Sequence, residues 1–145
     1  MKRKNVEYQK RSALLRKSFI ECRISDSLKF ESNRSMLDIY TEAEKKNLLQ
    51  VYDNRSLYFC YKTDYNNEKA IVIFFVIDAN EKTSTDIPEY VISIIDTIES
   101  MFFVKVKHYK REFSEKKKKF VELLQVVCSE QLIEDQNKTR QYISF

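Results

Sequence analysis

The sequence contains no glycine, no tryptophan and a single proline. Without glycine it cannot form the glycine-rich loops that cradle phosphates, the turn of dinucleotide-binding folds or the nucleophile elbow of α/β-hydrolases. Tight turns that need a positive φ must use asparagine or aspartate instead. Asp53-Asn54 and Asn66-Asn67 stand between apolar segments, where we expect such turns. The composition therefore excludes several large classes of nucleotide-binding and hydrolytic site.

Cysteine and histidine are also scarce. Cys22, Cys60 and Cys128 are odd in number and far apart, and His108 is the single histidine. This spacing supports neither a disulfide framework nor a zinc site, and it favours a reducing compartment. We expect Cys60 and Cys128 to be buried as small apolar residues. The sequence predicts no catalytic residue, no metal and no cofactor.

Long apolar runs are absent as well. The longest, Ala70 to Ile77, has eight residues, whereas a membrane-spanning helix needs about 20. Met1-Lys2-Arg3-Lys4 is followed by polar residues and not by the apolar core of a signal peptide. We therefore expect a cytoplasmic protein whose contact with membranes is peripheral.

The chain length and the charge favour one solvated globular domain over residues 1–145. A chain of 145 residues can bury about 68–70 % of its unfolded surface, so it needs no disulfide or metal to fold. The 26 basic and 22 acidic side chains give a formal net charge of +4 and are mixed along the sequence. Mixed signs are typical of a solvated surface and not of a nucleic-acid footprint.

The apolar run from Ala70 to Ile77 predicts the central strand of a sheet. β-Branched and aromatic residues dominate it, which is typical of a strand that is covered on both faces. After it, Asp86, Pro88 and Glu89 have the spacing of a helix start. One face of this helix would carry apolar side chains at spacings of three and four: Val91, Ile94, Ile95, Ile98 and Phe102.

The remaining patterns predict an α/β fold with a five-stranded antiparallel sheet and helices packed on it. Two strands are expected first, at 6–8 and 13–23, although a short helix over 13–23 competes with the second strand. A helix from Ser25-Asp26-Ser27 to about Lys45 follows, capped by one of those three residues. The later elements are strands at 48–52, 57–62 and 70–77, the helix at 86–102, and helices from Ser114 and Ile133. The order is β-β-α-β-β-β-α-α.

This order and several segments resemble the small (sigma) subunit of clathrin adaptor complexes and its coatomer zeta relative, which share a longin-like fold. The similar segments are 47–52, 57–62, 71–78, 94–102 and 130–135. The resemblance implies a non-enzymatic small subunit of a heterotetramer in vesicle-mediated transport and cargo sorting. Its partners would be a large helical-solenoid chain and a medium chain. It would act on coated vesicles at Golgi, endosomal or plasma membranes, with no nucleic acid bound.

The resemblance also implies a pocket for acidic dileucine cargo peptides. The matching positions are Ala70, Val72 and Ile95, and the possible contacts to the acidic residue or to lipid are Lys105, His108 and Arg111. Aromatic residues that alternate on one strand are expected to face the large partner if nothing inside the domain covers them. These are Tyr58, Phe59 and Tyr61.

The sequence is also compatible with two other functions. One is another longin-type trafficking subunit, for example of a tethering complex. The other is a small basic protein that rides on RNA or a ribosome, which the lysine-rich segments permit. An enzyme is the least supported class.

Overall fold

The computed structural model describes residues 2–25, 28–79, 89–102, 105–106, 108–116 and 119–129. Within these ranges the chain forms an α/β fold with one five-stranded antiparallel sheet and three helices. The elements are α1 (Lys2–Ile24), α2 (Met36–Lys45), β1 (Gln50–Val51), β2 (Ser56–Tyr65), β3 (Glu68–Ala79), α3 (Glu89–Phe102), β4 (His108–Lys116) and β5 (Lys119–Ser129). None of the helices in these ranges is both long and apolar enough to span a membrane.

The sheet is built around β3, as the sequence predicts. The strand order is β1-β2-β3-β5-β4, and every neighbouring pair is antiparallel. Phe74 of β3 lies between Phe59 of β2 and Gln125 of β5, and both faces of the strand are covered. The uninterrupted run of buried residues from Ala70 to Ile77 is the expected consequence of that position.

Alternate side chains of the strands build two separate cores. On one side, which we call the α1/α3 face, Ile73 and Phe75 pack with the buried residues of α1 and α3. On the other side, the α2 face, Val72 and Phe74 pack with Met36 and other residues of α2. This division follows from the period of two along a strand. Each β3 residue from Ala70 to Ile77 therefore belongs to one core only.

The N-terminal region is the first correction to the predicted order. Residues 6–8 and 13–23 are not strands, because the whole of Lys2–Ile24 is one helix, which includes the competing helix predicted over 13–23. Its buried side chains are Leu15, Ser18, Phe19 and Cys22, at spacings of three, four and seven that fit one face of a helix and no strand. Packing on the α1/α3 face therefore selects the helical conformation of this segment.

The C-terminal half is the second correction. The helix predicted from Ser114 is instead the pair of strands β4 and β5. Leu124 and Val126 of β5 enter one core while Val121 and Leu123 enter the other. A strand that is buried on both faces has no alternation, so its apolar residues also include pairs at helical spacing. The helix predicted from Ile133 lies outside the described residues.

These two corrections change the connectivity. A longin-like order places a two-stranded hairpin before the three-stranded meander, whereas here β4 and β5 follow the meander β1–β3 and α3. The sheet also curls at one end. The rings of Tyr65 in β2 and His108 in β4 stack with centroids 5.3 Å apart, although two strands separate β2 from β4 in the sheet.

Helix α2 is shorter than predicted, because Ser35 and not Ser25-Asp26-Ser27 caps it. The Ser35 hydroxyl accepts a hydrogen bond from the Asp38 N–H at 3.2 Å. At the other end Asn47 adopts φ 56°, and the Leu48 N–H donates to the Ala43 carbonyl at 2.9 Å. Asparagine thus takes the position that glycine usually occupies after a helix.

The β2–β3 turn confirms that asparagine replaces glycine in this chain. Asn66 and Asn67 both have positive φ, at 49° and 62°, and they connect the paired residues Tyr65 and Glu68. Two central residues with positive φ are the requirement of a type I′ hairpin turn. The other expected turn, at Asp53-Asn54, uses aspartate as a side-chain acceptor and has no residue with positive φ.

Candidate functional site

A pocket of about 430 Å³ opens between α2 and the turn that joins β1 to β2. Its floor is apolar and comes from adjacent strands on the α2 face, with Leu57, Val76 and Val121 as the main residues. Leu57 and Val76 are direct partners across β2 and β3. We call this cavity the α2 pocket, and its size lies in the range of small-ligand sites, about 300–1,000 Å³.

The rim of the α2 pocket carries carboxylates. Glu44 and Tyr40 contribute from α2, one helical turn apart, and Asp78 contributes from the end of β3. The Tyr40 hydroxyl donates a hydrogen bond to Glu44. Burial raises the pKa of Tyr40, and the negative charges of Glu44 and Asp78 raise it further. The two carboxylates therefore make the mouth of the cavity acidic next to its apolar floor.

The turn that forms one wall of the pocket is fixed by Asp53. One carboxylate oxygen of Asp53 accepts hydrogen bonds from the Arg55 N–H, the Ser56 N–H and the Ser56 hydroxyl, each at 2.9 Å. The other oxygen accepts a hydrogen bond from the Tyr90 hydroxyl of α3. Burial alone would raise the pKa of Asp53, but these donors outweigh it and hold the pKa below its usual value.

Two arginines complete this arrangement. Arg11 of α1 places Nη1 3.7 Å from Asp53 Oδ2. The Arg55 guanidinium lies 4.7 Å from the centroid of the Tyr90 ring, and its Nε donates to the Asp78 carbonyl at 3.1 Å. We call the group Arg11, Asp53, Arg55, Ser56 and Tyr90 the turn cluster. It connects the wall of the α2 pocket to both helices of the opposite face.

A second candidate surface is the outer side of α1. Ile20 and Ile24 are one helical turn apart and are 52 % and 80 % exposed. Ala13 and Lys17 are also exposed and continue the same row at spacings of three and four. We call these four residues the α1 stripe. Two exposed isoleucines on the back of a helix whose other side is already packed form an apolar surface that the described residues leave uncovered.

The structure separates the residues of the predicted dileucine pocket. Ala70 and Val72 are 3 % and 2 % exposed and point into the core of the α2 face. Ile95 packs on the α1/α3 face, on the other side of the sheet. The three side chains therefore do not line one cavity here.

The predicted basic contacts do not converge either. Lys105 is exposed, with its Nζ 4.0 Å from Glu99. His108 and Arg111 are three positions apart on β4, which places their side chains on opposite faces. Arg111 pairs with Glu122, whose side chain is only 4 % exposed. Arg111 thus offsets the charge of a buried carboxylate inside the domain.

The aromatic residues predicted to face a partner are covered within the domain. Tyr58, Phe59 and Tyr61 are 0 %, 2 % and 2 % exposed. Phe30 covers the α2 side, with its ring centroid 4.9 Å from that of Tyr61. On the other side, Ser18 of α1 is hydrogen-bonded to the Tyr58 hydroxyl at 3.0 Å. Both covers come from N-terminal segments whose packing the sequence did not predict.

All three cysteines are buried in the core of the α1/α3 face, which confirms the prediction for Cys60 and Cys128. Burial raises the pKa of the Cys128 thiol to about 12, and it raises that of Cys60 strongly as well. These thiols therefore stay protonated at neutral pH and are poor nucleophiles and metal ligands in the folded state.

Sequence reasoning missed the residues that the structure brings together most closely. The pocket residues Tyr40, Asp53, Val76 and Val121 are far apart in the sequence, and the strand register and the packing of α2 on the sheet bring them together. One feature of the sequence could have indicated the Arg111–Glu122 pair. Glu122 interrupts the apolar run from Phe120 to Cys128, and a carboxylate at such a position requires a cation nearby.

Comparisons with known proteins identify no relative of this chain. No protein-family model, no curated protein and no solved structure matches the chain.

Proposed function

We propose that this protein is a non-enzymatic subunit of a larger protein assembly and that it binds its partner through the α1 stripe. The exposure of Ile20 and Ile24 carries this proposal, because a soluble surface gains nothing from two adjacent isoleucines in water. Burying both side chains against a partner would contribute about 1.5–3 kcal/mol each before the cost of association is subtracted.

The charge around the stripe indicates the chemistry of the partner. Between residues 10 and 24 the helix has five basic residues and one acidic residue, Glu21. Lys10 and Lys17 are exposed on the same side as Ile20 and Ile24. An acidic surface with an apolar centre complements this pattern, and the opposite charges would speed association as well as select the partner.

The more specific form of the proposal is the small chain of a vesicle-coat adaptor with a longin-like domain. Four of the five similar segments overlap β1, β2, β3 and α3, which form the middle of the fold. The hairpin that follows the meander distinguishes this chain from the order expected of such subunits. On this proposal the large helical-solenoid chain would dock on the α1 stripe, since Tyr58, Phe59 and Tyr61 are already covered.

Co-purification of a tagged chain tests the proposal. We expect a stoichiometric, identified large helical-repeat chain with the wild type, and its loss when Ile20 and Ile24 are both changed to glutamate. Ile92→Glu is the matched control, because Ile92 is 45 % exposed and belongs to a different helix, α3. Equal recovery of that chain by the wild type and the double variant would refute docking through the stripe.

The basic character of α1 also favours a second candidate, an RNA- or ribosome-associated protein. Five of the six charged residues between positions 10 and 24 are basic. Binding to phosphates weakens steeply with salt because counterions are released. A large loss of RNA affinity between about 50 and 200 mM salt, unchanged in an Ile20→Ser, Ile24→Ser variant that adds no charge, would therefore favour this function over the adaptor.

A further inference from the structure

We propose that the α2 pocket binds an ammonium group carried on an aliphatic chain, such as the side chain of a lysine. This assignment does not depend on the α1 stripe or on membership of an adaptor complex. It rests on the coincidence of an apolar floor and an acidic rim in one cavity.

The floor of the pocket fits the aliphatic part of this ligand. Leu57 and Val76 are neighbours across two strands, and Val121 follows on β5 opposite Asp78. Val76 and Val121 are 5 % and 4 % exposed, while Leu57 is 37 % exposed at the opening. The floor thus runs from a closed end to an open end. A methylene chain can lie along it while its charged end remains at the mouth.

The rim fits the charged end. Glu44 and Asp78 lie on different elements that border the same cavity. An ammonium has three donors and no acceptor, so it can bind a carboxylate and solvent at once. A phosphate or carboxylate ligand would instead be repelled by two negative charges next to a low-dielectric floor.

Arg55, which also borders the pocket, offsets only part of the negative charge of the three carboxylates in the lining, Glu44, Asp53 and Asp78. Its guanidinium is held over the Tyr90 ring of α3, and its Nε is bonded to the Asp78 carbonyl. Asp53 is likewise engaged by Tyr90, Ser56 and the Arg55 N–H. The lining therefore keeps a net negative charge, to which Glu44 and Asp78 contribute at the mouth.

Titration of the folded protein with matched amides tests the assignment. N-acetyl-lysine amide and N-acetyl-norleucine amide have the same aliphatic stem and differ in the ammonium. We expect the lysine compound to shift the backbone amide NMR signals of Leu57, Val76 and Val121. At equal concentration, the norleucine compound should shift the same signals about fivefold less, because it cannot form the ion pair. Equal shifts with the two compounds would overturn the proposal.

Variants identify the rim. Glu44→Gln and Asp78→Asn should each weaken binding of the lysine amide about two- to fivefold, and the double variant about tenfold, the range for partly exposed ion pairs. Glu112→Gln is the matched control, because Glu112 is an exposed carboxylate on β4 that does not line the pocket. Unchanged binding in the double variant, with its fold intact by circular dichroism, would overturn the assignment.

Two further probes distinguish the possible sources of the ligand, and one variant separates this proposal from the proposed docking through the α1 stripe. A peptide with one internal lysine and the free polyamine spermidine both carry the required group. Binding by the peptide points to a protein partner, and binding by spermidine alone points to a free amine; a lack of binding by both refutes the site. The Ile20→Glu, Ile24→Glu variant should bind either probe like the wild type, so failure of one proposal is distinguishable from failure of the other.

Discussion

The two faces of the sheet are built from the same strands but closed in different ways. The α1/α3 face is covered by two helices of 23 and 14 residues. The α2 face is covered by a helix of 10 residues and by the segment around Phe30. The larger cover leaves a closed core that contains all three cysteines. The smaller cover leaves the α2 pocket open near one end of β2, β3 and β5.

This difference separates stability from binding within one small domain. On the closed face, the Tyr58 hydroxyl is enclosed and is hydrogen-bonded to Ser18 and Gln50. The open face places Glu44 and Asp78 beside apolar side chains. An incomplete cover is costly to the fold but creates a concave surface with mixed chemistry, which is what small-ligand sites require.

The largest expected effect compares two neighbouring residues of β3. Phe74 and Phe75 are both fully buried and belong to opposite cores. Phe75→Ala should destabilise the protein by about 3–5 kcal/mol, and Phe74→Ala should fall at the lower end of that range. The short helix α2 can settle into a cavity more easily than the two helices of the closed face.

Urea unfolding followed by circular dichroism measures both values. A Phe74→Ala variant that loses more stability than Phe75→Ala would reverse the comparison. Val51→Ala on the edge strand is a control, since Val51 is 64 % exposed and its truncation should change stability by no more than about 0.5 kcal/mol.

A smaller effect concerns the turn cluster, which joins the two faces. Tyr90→Phe removes the hydroxyl that bonds to the Asp53 carboxylate and to Ser56. A hydrogen bond to a charged group contributes about 1.5–3 kcal/mol, so we expect a loss of this size at pH 7. The same change should loosen the wall of the α2 pocket and weaken binding of the lysine amide.

The effect of Tyr90→Phe should depend on pH. The pKa of Asp53 is lower in the folded state than in the unfolded state, so its stabilisation is present above the unfolded pKa, about 3.9, and is lost as the pH falls towards the folded pKa. Unfolding at pH 7 and pH 3 should therefore show a smaller difference between Tyr90→Phe and wild type at pH 3. A stability difference that is the same at pH 7 and pH 3 would contradict this coupling. Strict additivity of the Tyr90→Phe and Asp53→Asn effects would contradict it as well.

The middle of the fold was predictable from local sequence because the constraints there are local. Ala70–Ile77 is apolar throughout, and Asn66-Asn67 supplies the positive φ values that a two-residue hairpin needs. The buried residues of α3 recur at helical spacing. Each of these signals lies within one element and its turn, so no knowledge of distant contacts was needed.

The ends of the fold were not predictable in the same way, because their structure depends on what they pack against. Residues 13–23 fit a strand or a helix until the α1/α3 face selects Leu15, Phe19 and Cys22. Because β5 is buried on both faces, its sequence lacks the alternation of apolar and polar residues that indicates a strand. The α2 pocket was beyond local reasoning altogether, since its walls come from α2, β2, β3 and β5.

The smallest effect contrasts two tyrosine hydroxyls, one on each face. The Tyr58 hydroxyl is enclosed and bonded to Ser18 and Gln50 at 3.0 and 3.3 Å. The Tyr40 hydroxyl bonds to Glu44 at the mouth of the α2 pocket, where water can replace it. Tyr58→Phe should therefore cost about 0.5–1.5 kcal/mol, the net value of an enclosed hydrogen bond, and Tyr40→Phe should cost less.

Both tyrosine variants keep the ring and its packing, so urea unfolding reports on the hydroxyl alone. If the α2 pocket is open to solvent, Tyr40→Phe leaves Glu44 hydrated and the loss stays small. An equal or larger cost for Tyr40→Phe would mean that Glu44 is left without a donor in a dry site. The mouth of the pocket would then be closed to solvent, and the contrast between a sealed face and an open one would not hold.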